Sequence, residues 1–158
     1  MVKRYFSIAF FALFFTMPTA TLANCNCARL QDTFAEYLTV DVSRYQGGLT
    51  PRAEATSHID AKVIVSEDVF ILWDEARYDT PHYEVICHRV PQEEGEVPLA
   101  SERWGNFYGF GIDREVIKLL YVASSRGEGP QYRFEIVGDE LWAFLDGWFY
   151  RMERISHD

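Results

Sequence analysis

Asp146-Gly147, set between two runs of aromatic and aliphatic residues, limits what this chain can become more than any other feature. An Asp-Gly pair favours a two-residue type I′ turn, whose twist matches that of two antiparallel strands. Counting outward pairs Leu145 with Trp148, Phe144 with Phe149, Ala143 with Tyr150, Trp142 with Arg151 and Leu141 with Met152. Side chains alternate across a strand, so Leu141, Ala143, Leu145, Trp148, Tyr150 and Met152 make one core-like face. Arg151 and Glu153 mark the other face as solvent-facing, with Trp142 expected over Arg151 as a cation–π pair. Arg154 falls on the inner face at the strand's end, where its charge needs a carboxylate or an aromatic ring.

The same grammar of short apolar runs between turn residues extends over most of the chain. It predicts strands over Phe34–Tyr45, Lys62–Ser66, Val69–Trp73, His82–Arg89, Trp104–Phe110, Val116–Ser124, Gln131–Val137, Glu140–Leu145 and Trp148–Ile155. Thr50 followed by Pro51 reads as an N-cap and first helical residue, giving one short helix over Thr50–His58. Parallel strands would need a helical crossover between each pair, so the sheet is expected to be antiparallel. With this many strands the edges are best managed by a closed or nearly closed barrel of eight or nine strands, with a sandwich as second choice. Pro91–Ser101, with two prolines and Glu93, Glu94 and Glu96, is the longest irregular segment and the expected mobile loop.

A barrel of that size is either filled by side chains or just wide enough for one small ligand. Tyr121, Phe134, Leu141, Ala143, Trp148, Tyr150 and Met152 are the expected interior, and such bulk fills the space without a guest. Carriage of a small apolar ligand would require a cavity lined by Tyr121, Phe134, Ala143 and Tyr150.

The first residues carry an address. Lys3 and Arg4, the apolar run Tyr5–Phe15 and the small-residue exit Thr21-Leu22-Ala23 form a secretory signal, placing the working protein in the periplasm or outside the cell. The run is too short to span a bilayer. Removing Met1–Ala23 leaves residues 24–158 as a single domain, with 13 Lys and Arg against 24 Asp and Glu, a formal charge of −11. That balance disfavours nucleic acid and suits a basic protein partner. Three cysteines remain, Cys25, Cys27 and Cys87. Neighbours two apart bridge only with strain, so Cys87 is expected to pair with Cys25 or Cys27. In an alternative reading Leu22-Ala23-Asn24-Cys25 is a degenerate lipobox, Cys25 carries a lipid anchor, and Cys27 pairs with Cys87.

No metal, cofactor or catalytic signature emerges. His82 and His88 share a strand face but lie about 20 Å apart at roughly 3.3 Å per residue, with Cys87 on the opposite face. G-x-S-x-G, S-x-x-K and H-E-x-x-H are absent. The segment Trp104-Gly105-Asn106-Phe107-Tyr108-Gly109-Phe110-Gly111 interleaves glycines with large aromatics, as at a sharp barrel corner or an exposed aromatic patch.

Pro51–Ile155 resembles a loose group of small exported bacterial proteins with a lipocalin-like barrel. The resemblance rests on a helix followed by Ile59-x-x-Lys62, on Pro81-x-Tyr83 at a strand start, and on Leu141…Asp146-Gly147-x-x-Tyr150 closing with Arg154-Ile155. Lipocalins proper open with G-x-W, where this chain offers only Tyr37 and Tyr45. The group implies a fold and no reaction. The functional expectation is therefore a non-enzymatic envelope protein that binds and blocks another protein. Its contact surface would be Glu93, Glu94 and Glu96 with Trp104, Phe107 and Tyr108.

Overall fold

A computed structural model of the chain describes residues 28–90 and 97–155. The expected presequence, Cys25, Cys27, Glu93, Glu94 and Glu96 lie outside the described residues. Among the described residues, alternating apolar side chains give nine strands: β1 (Ala35–Arg44), β2 (Lys62–Val65), β3 (Val69–Leu72), β4 (Ala76–Asp79), β5 (His82–Arg89), β6 (Val116–Ala123), β7 (Tyr132–Val137), β8 (Glu140–Leu145) and β9 (Trp148–Arg154). One short helix, α1 (Arg52–Thr56), lies between β1 and β2. All nine strands join one antiparallel sheet in the order β4-β3-β2-β1-β9-β8-β7-β6-β5. The β8–β9 register is the one that Asp146-Gly147 dictates, from Leu145 opposite Trp148 to Leu141 opposite Met152. Both turn residues hold positive φ, 41° at Asp146 and 83° at Gly147, as a type I′ turn requires.

The sheet curls around its apolar face without hydrogen-bonded closure. Tyr37, Val63, Phe70, Leu120, Phe134, Leu141, Ala143, Trp148, Tyr150 and Met152 form the inner core. Phe70 lies 5.9 Å from Phe134 and 5.6 Å from Tyr132, so β3 packs directly across on β7. The edge strands β4 and β5 are not paired with each other, and where a closed or nearly closed barrel is expected the sheet is an open, curled half-barrel. Two tyrosines bridge its ends: Tyr78 of β4 donates to the Pro130 carbonyl at 2.5 Å, and Tyr83 of β5 donates to the Ser66 carbonyl at 2.9 Å. Gly129, at φ 80°, is needed for the first, because a Cβ there would come within 2.9 Å of the Tyr78 hydroxyl.

Three expectations about individual elements are corrected. Strand β4 was hidden because Trp73 and Asp74 both adopt positive φ, 55° and 60°, forming the β3–β4 turn where an aromatic residue reads as strand. Tertiary contacts hold Trp73 there: its Nε1 donates to the buried Thr39 hydroxyl at 2.9 Å and its ring stacks on His58 at 3.9 Å. Trp104–Phe110 is no strand; Gly105–Tyr108 forms a 3-10 turn that ends at Gly109, φ 88°. Thr50 does not cap α1, which begins at Arg52; its amide and hydroxyl instead donate to the Asp146 carboxylate at 2.5 and 2.6 Å. The β8–β9 turn thus also anchors the loop that leaves β1.

Candidate interaction surface

The connection from β5 to β6 crosses the outer face of the sheet as a strap. Phe144 and Phe149, directly opposite each other on β8 and β9, point outward with Trp142 and form an apolar face that water would not tolerate uncovered. Phe110 packs 4.2 Å from Phe149, and Tyr108 stacks on Phe144 at 5.8 Å. Tyr45 of the β1 end joins Tyr108 at 4.5 Å and Phe144 at 5.2 Å. The outer face at β8–β9 is therefore not solvent-facing as Arg151 and Glu153 suggest. Those two charges belong to an exposed network, in which Arg151 reaches Glu140 at 2.9 Å and Glu153 at 2.6 Å.

One buried carboxylate fixes the strap. Glu135 of β7 is 2% exposed, and it accepts the Gly105 N–H while Arg114, at the far end of the strap, meets its other oxygen at 2.7 Å. Arg114 also donates to the Gly111 and Phe110 carbonyls at 3.0 and 3.2 Å and lies over the Trp142 ring at 5.0 Å. The cation expected over Trp142 is therefore Arg114, not Arg151. A Cβ at Gly105 would sit 3.0 Å from the Phe144 ring and 3.2 Å from Glu135, so the close approach of strap to sheet favours glycine. Trp104 anchors the strap's start: it packs on Ile117 and Leu119, with Arg133 over its ring at 4.4 Å and His88 stacked at 5.3 Å.

The expected contact residues are thus divided. Trp104 is buried as an anchor, Tyr108 is half-buried against Tyr45 and Phe144, and Phe107 is 42% exposed with Arg103 over its ring at 4.8 Å. Beside Phe107 in the same connection, Val97, Leu99 and Ile112 are 68%, 69% and 67% exposed. Of the expected interior residues, Phe134, Leu141, Ala143, Trp148, Tyr150 and Met152 lie in the inner core. Tyr121 does not; it faces outward beside Trp104, because β6 alternates Leu120 and Val122 inward with Ile117, Leu119 and Tyr121 outward. Arg154 reaches the Asp32 carbonyl and lies 5.8 Å from the centre of the Tyr37 ring. Cys87 is disulfide-bonded.

Nothing in the sequence singles out Glu135 or Arg114, or gives Gly105 its place against them. Their pairing joins residues far apart in the chain, but three large aromatics on a face assigned to solvent signal that something must cover it. Among the described residues no group of three or more His, Cys, Asp or Glu is placed to hold a metal ion. Burial pushes the Tyr150 hydroxyl up to about 12, with Glu54 and Glu75 adding to the effect. Hydrogen bonds, first from the Thr50 hydroxyl and then from the Leu49 and Thr50 amides, hold the Asp146 carboxyl below its ordinary range. The chain matches no family model, no curated protein and no solved structure.

Proposed function

We propose that this is an exported, non-catalytic protein whose β5–β6 connection docks a basic protein partner. One observation carries the reading. Of six large hydrophobic residues exposed among the described residues, Val97, Leu99, Phe107 and Ile112 all lie in this connection, so the unburied apolar surface is concentrated rather than scattered. The same connection carries Glu93, Glu94 and Glu96 in its sequence, in a chain of net charge −9, a balance that suits a basic partner. Phe134, Ala143 and Tyr150, the residues expected to line a ligand cavity, are packed in the inner core, which favours the outer surface over carriage of a small apolar ligand between them. The reading includes removal of Met1–Ala23 on export and a disulfide from Cys87 to Cys25 or Cys27. Under the lipobox alternative, Cys25 is a lipid anchor instead.

The test is recovery of a basic envelope protein on the immobilised processed protein, beside a charge-matched control and a Leu99→Ser/Phe107→Ser/Ile112→Ser variant. The proposal expects capture that the variant loses. Equal recovery on the control or the variant would count against it.

A further inference from the structure

The end of the half-barrel beside the Leu30–Thr33 turn holds a cavity of about 680 Å³, walled by Arg29, Asp32, Val116, Lys118, Ile136 and Asp139 among others. Val116 and Lys118 share the inward phase of β6 with Leu120 and Val122, as Ile136 shares that of β7 with Phe134. A lysine at an inward position on an apolar strand face is costly unless it meets a counter-charge. The neighbouring cations are already matched: Arg29 pairs with Asp32 at 3.2 Å, and Arg114 with Glu135 at 2.7 Å.

Lys118 makes no ion pair among the described residues. Asp139 lies exposed at the rim. Lys118 is therefore a cation on the cavity wall with no ion-pair partner among the described residues, in a molecule that carries a net charge of −9.

We infer that this cavity binds a small organic carboxylate, whose charge meets Lys118 and whose short aliphatic part rests on Val116, Ile136 and Val137. It is walled by residues of β6 and β7, the Leu30–Thr33 turn and Arg114, the strap residue that pairs with Glu135. The test titrates the purified protein with butyrate, and in parallel with butylamine and butanol, following the amide resonances of residues 116–118 and 136–139. Saturable shifts are expected with butyrate alone. Affinity should fall about tenfold or more in Lys118→Gln, as for loss of one charge-assisted contact, and be retained in Lys118→Arg. Lys118→Gln should melt with the parent protein, separating binding from folding. Absence of saturation by butyrate, equal binding of the amine or the alcohol, or unchanged affinity in Lys118→Gln would overturn the assignment.

Discussion

Replacing Glu135 by Gln preserves the side chain's volume and removes the charge that fixes the strap. The carboxylate is 2% exposed and meets Arg114 at 2.7 Å, so the substitution leaves a guanidinium opposite an amide group. Breaking one partner of a buried pair costs about 3–5 kcal/mol. Arg114 keeps 17% of its side chain exposed and can relax partly into water, which places the loss near the lower end, about 3 kcal/mol. Against a domain stability of roughly 5–15 kcal/mol, that is large enough to see in a urea titration followed by tryptophan fluorescence. Because the lost contacts hold one segment, limited proteolysis should cut first between Arg103 and Arg114. An Arg114→Met/Glu135→Leu double variant should be more stable than Glu135→Leu alone, since no uncompensated guanidinium remains. A Glu135→Gln protein within about 0.5 kcal/mol of the parent, with an unchanged cleavage pattern, would refute this account of the strap.

Four further outcomes follow from the packing. Gly48→Ala would place a Cβ 1.9 Å from the Asp146 carbonyl oxygen and should cost about 1–3 kcal/mol in chemical denaturation. The Asp146 carboxyl lies below its ordinary value in the folded protein, so its contribution is full above that value and is lost as pH falls through the folded one. Melting from about pH 5 to about pH 3 should show a fall that Asp146→Ala removes. Tyr150 titrates in the opposite sense: its folded value of about 12 exceeds the ordinary 10.0, so stability is full below pH 10.0 and declines as pH rises toward about 12. Tyr150→Phe should flatten that decline in alkaline denaturation. Reduction of the Cys87 disulfide should lower stability by about 4 kcal/mol if it closes a loop of roughly 60 residues, measured by denaturation with and without reductant.

The hairpin at Asp146-Gly147 was fully legible, because turn chemistry and two-residue periodicity together leave one register. The inner faces of β8 and β9 followed from it. Legibility failed where a tertiary contact overrode a local preference. Trp73 holds positive φ because Thr39, His58 and Tyr150 grip its ring, and no neighbour in sequence announces that turn. Gly105 and Gly109 did mark an irregular backbone, yet its destination on the outer face depended on Glu135, thirty residues away from Gly105. Tyr121 was assigned to the wrong face because β6 is apolar on both sides, with Leu119 and Leu120 both fully buried, so alternation carries no information there. Within the β5–β6 connection, Trp104 is buried and Phe107 remains exposed, a division that aromatic residue type does not reveal.

Site-specific photo-crosslinking in cells tests the central claim most directly. A photoreactive residue is placed at Phe107 or Ile112 on the strap, and separately at Arg77 on the opposite edge strand. The account predicts a discrete adduct with a basic protein from both strap positions and none from Arg77. Adducts from Arg77 alone, equal yields from all three positions, or no adduct from the strap would contradict it.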